Sequence, residues 1–271
     1  MRKDITLDSQ GSLLETSVYY PEPVAAKKIP LVVVVPGGNG RVWMRDGALF
    51  AGPERLAESF SMAGFCSVIF NCRGQGKSTG MRSMANAAED LGVVLDFALG
   101  RMDPALAAAD VSRVGVMGSC FGGSVVSKHC GEDNRVSSVA LYGTTPSWKR
   151  CMFGTPEIVE KWKSGKREAN VRIDFDAEVS LMDEGTFDLD RTLPRLRQHV
   201  LVANGTEDTK PKVGYKFSDY LPEMLQIVRS MQHARSVLFA LLGGGNHVVN
   251  YDEPAWDSYV RLVTTWFQAT L

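Results

Sequence analysis

The sequence predicts an α/β fold, with a mostly parallel central sheet and helices on both faces. Three observations carry that expectation. Short apolar runs rich in β-branched residues recur along the chain. They alternate with longer stretches of helical spacing, and such alternation implies parallel strands joined by crossover helices. Glycine clusters stand directly after several of the runs, at the carboxyl edge where sheets of this kind hold their ligands.

Taken in order, residues 5–7 and 13–20 read as an opening antiparallel hairpin, turned through Ser9, Gln10 and Gly11. The runs 31–35, 66–70, 114–117, 138–142, 200–204 and 237–242 read as buried parallel strands. Helical spacing marks 85–99, with Leu91, Val94, Leu95 and Ala98 on one face, and also 215–231 and 255–271. Between 142 and 200 the rhythm breaks. Residues 161–172 are dense in charge, while Trp148, Met152, Phe153 and Trp162 supply apolar bulk. A structureless loop of that length is improbable in a compact domain. The expectation is one domain over 1–271, with 146–195 inserted as a small helical lid over the site.

Bulk properties narrow the function classes. With 44% hydrophobic and 23% charged residues the composition is that of an ordinary globular protein. A formal net charge of −1 gives no general attraction to nucleic acid or anionic membranes. No apolar run approaches the roughly 20 residues that a membrane-spanning helix requires. The start has charge but no apolar segment after it, so no signal peptide is read there. Five cysteines, without paired metal-type spacing, favour a reducing compartment with free thiols. A cytoplasmic location is expected.

After the run 114–117 comes Gly118-Ser119-Cys120-Phe121-Gly122-Gly123, followed by helical sequence. This is the nucleophile-elbow pattern G-x-S-x-G with cysteine in the serine position. The elbow is a strained strand-to-helix corner, and side chains two residues either side would collide with it. Gly118 and Gly122 meet that requirement around Cys120; around Ser119 the same positions are Met117 and Phe121, which do not. The following helix points its N-terminus at the sulfur and favours the thiolate.

A thiolate needs a base and an orienting acid, which in this arrangement follow the nucleophile as acid, then histidine. Asp208 lies in the loop after 200–204, with Glu207 as its adjacent competitor. His247 follows Gly243-Gly244-Gly245-Asn246 at the end of 237–242. His129, His199 and His233 do not stand at a carboxyl edge and read as structural or solvated. Two backbone N–H groups should receive the developing oxyanion. Phe121 is expected to supply one, and the loop Pro36-Gly37-Gly38-Asn39-Gly40 the other, with Gly38 first and Asn39 second. Asn39, Trp148 and Met152 are the candidate substrate-pocket residues. Two motifs are excluded. The G-K-S of Gly76-Lys77-Ser78 lacks the earlier glycine of a phosphate loop, because Asn71 stands there. His129-Cys130 lacks the further ligands of a zinc site.

These residues resemble the α/β-hydrolase superfamily from about Leu13 to the C-terminus. The resemblance rests on Pro36-Gly37-Gly38, on Asn71 to Ser78, on the elbow, on Gly205 to Pro211 and on Gly245-Asn246-His247. Asn71-Cys72-Arg73-Gly74-Gln75-Gly76-Lys77-Ser78 is similar to the D-x-R-G-x-G-x-S loop of many members, with Asn71 for the aspartate. Pro36 stands where many members have histidine. The cysteine elbow resembles that of dienelactone hydrolases, which open lactones with a Cys-Asp-His triad. The inserted segment and the Arg-Gly-Gln-Gly loop are similar to lidded esterases and polyketide acyl transferases. The resemblance implies an α/β-hydrolase fold and hydrolysis of an ester, lactone or thioester through a Cys120 acyl-enzyme. Transfer or cyclisation to a non-water acceptor is the second expectation, and a non-catalytic binding protein on this fold the third. A small-molecule acyl substrate, free or carrier-bound, is expected, with no cofactor and no metal.

Overall fold

The computed structural model describes residues 1–21, 28–45, 48–149, 160, 171–210 and 215–271. Strands β1 (Arg2–Ser9) and β2 (Ser12–Tyr19) form the expected hairpin, Ser9 facing Ser12. Gln10 and Gly11 turn it at φ 52° and 79°. Positive φ at both central residues matches the right-handed twist of the flanking strands.

β3 (Ile29–Val35) leads through a small hairpin, β4 (Trp43–Arg45) and β5 (Ala48–Phe50), into helix α1 (Gly52–Met62). β6 (Cys66–Phe70) follows, then α2 (Met84–Leu99), one short 3-10 turn (Pro104–Leu106) and β7 (Ala109–Ser119). Next come α3 (Phe121–Cys130) and β8 (Ser138–Tyr142). The described part of the expected lid holds α4 (Phe175–Glu184), α5 (Leu189–Thr192) and a second 3-10 turn (Leu193–Arg195). β9 (His199–Gly205), β10 (Thr209–Lys210), β11 (Tyr215–Lys216), α6 (Phe217–Arg229), β12 (Ser236–Leu242) and α7 (Trp256–Thr270) complete the order. Phe153, Met152 and Trp162 lie outside the described residues.

Eight strands form one sheet in the order β1-β2-β6-β3-β7-β8-β9-β12, antiparallel at β1-β2-β6 and parallel beyond. From β3 the chain crosses to β6 on one side; from β6 it crosses back to β7 on the other. The strand order therefore reverses between β3 and β7, and a crevice opens at their carboxyl ends. That reversal decides where chemistry can sit.

Alternation along each strand splits the core into two layers. Leu31, Val33, Val35 and Val116 join Leu91, Val94, Leu95 and Ala98 of α2, Val125 of α3 and Met224 of α6 on one face. Val32, Val34 and Met117 join Leu56 and Phe60 of α1 and Val263 and Phe267 of α7 on the other. Burying each of the larger side chains among these contributes about 1.5 to 3 kcal/mol. β12 differs from expectation. Its pairing with β9 is parallel, but Val237, Leu238 and Leu241 are exposed, because it is the last strand of the sheet.

Candidate active site

The β7-to-α3 corner places Cys120 at φ 52° and ψ −117°, in the left-handed region that side chains other than glycine rarely adopt. Such strain costs about 1 to 3 kcal/mol and persists only where the surroundings enforce it. Here backbone enforces it. A Cβ on Gly118 would lie 2.5 Å from the Gly122 carbonyl oxygen, and one on Gly122 would lie 2.3 Å from that of Val35. The Cys120 N–H donates to the Tyr142 carbonyl at 2.9 Å, locking the corner to β8. Ser119 belongs to the opposite layer, where its Oγ lies 3.4 Å from the Tyr259 hydroxyl.

His247 Nε2 lies 2.9 Å from Cys120 Sγ. On its other side Nδ1 lies 3.1 Å from Asp208 Oδ1 and 3.2 Å from Oδ2. The structure thus brings Cys120, His247 and Asp208 into one hydrogen-bonded line. The Asp208 carboxylate is fully buried, while the imidazole keeps 21% of its side chain exposed. Glu207, the sequence competitor, is exposed.

Two straps hold the acid and histidine loops together. Glu207 N–H donates to the Gly245 carbonyl at 3.0 Å, and Gly244 N–H to Thr206 Oγ1 at 2.9 Å. Gly205 is required here, because a Cβ would lie 1.9 Å from the Gly245 carbonyl oxygen. Tyr220 of α6 donates its hydroxyl to Asp208 Oδ2 at 3.1 Å. Asn204 adds a longer contact to the same oxygen at 3.5 Å.

Burial opposes a charge on His247, but the Cys120 thiolate and the Asp208 carboxylate outweigh it and push the imidazole up to about 9. The other described cysteines behave differently. Burial pushes Cys66 up to about 11, and raises Cys72 and Cys130 as well.

The loop after β3 lies against the corner. A Cβ on Gly37 would be 3.6 Å from Cys120 Cβ, and one on Gly38 would be 3.8 Å from Phe121 Cβ. Gln75 Nε2 donates to the carbonyls of Gly37 and Gly38 at 2.9 and 3.1 Å. In a trans peptide the N–H points away from its carbonyl. The N–H groups of Gly38 and Asn39 therefore face away from Gln75. Phe121 is the first residue of α3, so its N–H has no acceptor within the helix.

Residues 30–236 match the family model described as alpha/beta hydrolase fold. The chain belongs to that family. Among solved structures it is similar to DcsB in complex with its substrate analogue, at 16% identity over all of both chains with TM-score 0.72. It is similar to Est1E from Butyrivibrio proteoclasticus with ferulic acid bound, at 12% identity over 98% of each chain and TM-score 0.70. A dienelactone hydrolase from Anabaena variabilis covers all of this chain and 98% of its own at 14% identity and TM-score 0.64. No match was found among curated proteins.

Within this alpha/beta hydrolase fold, the remaining sequence candidates divide. Gly38 and Asn39 are half-buried in the loop beside Cys120. Trp148 is buried, edge-on to Phe121 at 6.0 Å, and its indole N–H donates to Ser124 Oγ at 2.5 Å. Met152 lies outside the described residues. In the Arg73-Gly-Gln-Gly loop, Arg73 Nε pairs with buried Asp90 at 2.7 Å, and Ser78 Oγ donates to the Asn71 carbonyl, while Gln75 holds the loop after β3. His129 meets Asp133 at 3.3 Å, and among the described residues no group of three metal-ligating side chains converges. No helix among them is long and apolar enough to cross a membrane. Tyr220 and Arg82 touch the site without any sequence signal, since each reaches it from a distant element, and Gln75 reaches it from the Arg73-Gly-Gln-Gly loop that the sequence singled out.

Proposed function

We propose that this hydrolase-fold protein cleaves an ester, lactone or thioester through an acyl-enzyme on Cys120. The carrying observation is the unbroken contact Cys120 Sγ to His247 Nε2 to Asp208, at 2.9 and 3.1 Å, at the crevice beside β3 and β7. The proton of Cys120 rests on His247, leaving a thiolate at the N-terminus of α3. The thiolate attacks the acyl carbon, and the carbonyl oxygen takes the electron pair against the Phe121 and Gly38 or Asn39 amides. When the oxyanion collapses, the bond to the leaving group breaks and His247 delivers its proton to that group. Water then attacks the thioester, giving its proton to His247 while Asp208 holds the ring in one tautomer. The Cys120 thiolate departs and the acid is released. A thiolate leaves more readily than an amine, so an amide adduct tends to expel Cys120 and revert; activated acyl groups fit better than amides. The segment 146–195 is the element we assign to covering this crevice.

The test is mass spectrometry of the protein after exposure to activated acyl esters and thioesters. The expected result is one acyl group on Cys120, lost in Cys120→Ala and retained in Ser119→Ala; the opposite pattern overturns the assignment. Competing amine and alcohol acceptors in the same experiment separate hydrolysis from transfer.

A further inference from the structure

One side chain outside the Cys120–His247–Asp208 line touches both of the elements that supply oxyanion donors. Arg82 Nη1 donates to the Gly38 carbonyl at 2.6 Å. Its guanidinium stacks over the Phe121 ring, 4.5 Å from the centroid. The side chain is almost fully buried, and its charge is met by the equally buried Glu178 of α4 at 3.3 Å. Glu178 also accepts from the Met84 N–H at 3.3 Å.

We infer that Arg82 is the positioning residue of the oxyanion hole, holding the Gly38–Asn39 peptide and Phe121 in register. The inference rests on the acyl-enzyme reading above. The Gly38 carbonyl takes two donors on one side, Arg82 and Gln75. Its partner N–H, that of Asn39, is thereby fixed on the other side. A charged donor also polarises the peptide and strengthens that N–H as a donor. Gly38 lets the cation come close, since a Cβ there would lie 2.9 Å from Nη1.

Fold stability alone does not account for this placement. Arg82 Nε is buried with no hydrogen-bond partner, a cost that burial of a simple apolar residue would avoid. Gln75 already closes the loop, accepting from the Cys72 N–H through Oε1 while holding Gly37 and Gly38. What Arg82 adds is a link. Its own backbone pairs with the inserted segment, the Arg82 N–H donating to the Arg172 carbonyl at 2.8 Å and the Asp174 N–H to the Arg82 carbonyl at 2.9 Å. Side chain and main chain both bind the segment that carries α4, so the hole takes its shape from that segment through Arg82.

Two reactions at the same sulfur test this. Iodoacetamide needs the thiolate and no oxyanion hole; 4-nitrophenyl butyrate needs both. Arg82→Gln is expected to lower kcat for the ester about 30-fold, less than the roughly 100- to 1000-fold for an oxyanion donor removed outright because here the donor is only displaced, with KM changed less than about twofold. Its iodoacetamide rate at Cys120 stays within about twofold of wild type. Arg82→Lys, which keeps a cation near Gly38 but not the two-armed fork, is expected to lose only about fivefold in kcat, with the same alkylation rate. If Arg82→Gln does not fold, Arg82→Lys carries the comparison alone. Undiminished ester turnover in either variant overturns the inference, as does an equal fall in both reactions, which would mark a structural role. A wild-type protein that alkylates but never acylates overturns the proposed function and this inference together.

Discussion

Replacing Asp208 by asparagine tests how the charge on His247 is held. The carboxylate lies 3.1 and 3.2 Å from Nδ1 and is wholly buried, so little solvent screens it. His247 is raised from the ordinary imidazole value of 6.5 to about 9 against the effect of burial, by the thiolate and by Asp208. That rise corresponds to about 3 kcal/mol of preference for the protonated ring, shared between the two partners. Removing an opposite charge at this distance lowers a pKa by about 1 to 3 units. In Asp208→Asn the His247 titration should fall to between about 6 and 8. The assay is kcat/KM against pH with an alkyl thioester, whose basic leaving group needs the His247 proton. Wild type should lose activity as pH rises through about 9. The variant should lose it about one to three units lower, with a reduced plateau. The same residue affects stability. Its folded pKa lies above its unfolded value, so its contribution is fully present below about pH 6.5 and is lost as pH rises through about 9. In Asp208→Asn that window closes earlier. An alkaline limb that stays at 9 in the variant would refute the argument, since the carboxylate would then not be what sustains the imidazolium.

Four further outcomes follow from the geometry. Iodoacetamide at pH 7 should label Cys120 first and leave Cys66, Cys72 and Cys130 unmodified in the folded protein, because burial raises those three thiols; peptide mapping reads the result. Tyr220→Phe removes a hydroxyl donor to the Asp208 carboxylate and should cost about 1.5 to 3 kcal/mol in transition-state stabilisation, roughly 10- to 150-fold in acylation rate. Gly122→Ala drives a methyl group into the Val35 and Pro36 carbonyls, fixed backbone rather than a movable side chain, and should destabilise by about 3 kcal/mol by chemical denaturation. Trp148→Phe keeps the ring against Phe121 but gives up the indole bond to Ser124, costing about 1 kcal/mol, with a Tm lowered by a few degrees.

The parts legible in the sequence are those whose cause is local. Runs such as 31–35 are β-branched and wholly apolar because both faces of the sheet are covered, and they appear as β3, β6 and β8 within a residue or two. The first half of β7, Ala109–Arg113 by sequence, is polar and escapes that pattern. It pairs with β3 only across a register shift between Pro30 and Leu31. The start of α1 has no side-chain cap to announce it. For the candidate site the same division holds. Cys120, Asp208 and His247 are marked by glycines and turns within a few residues of each. Arg82 is not: its partners Gly38 and Glu178 lie 44 and 96 positions away, and no local pattern records a contact made by folding.

Strand parity explains why the sulfur, and not the neighbouring hydroxyl, faces the histidine. Along β7 successive side chains alternate between the two layers, and Met117 and Ser119 both fall on the α1 and α7 side. A residue in regular alternation can reach only a core layer. The left-handed turn at Cys120 ends the alternation, and its side chain, 9% exposed against the α2 and α3 layer, carries the sulfur to 2.9 Å from His247 Nε2. It emerges at the reversal between β3 and β7, where the Gly37–Gly38 loop closes one side and the linked loops after β9 and β12 close the other. Position 120, the first residue beyond β7, is therefore where a side chain meets groups brought by three other strands. The strain at its backbone is the cost of leaving the sheet, and Gly118 and Gly122 keep that cost within what the surrounding bonds sustain.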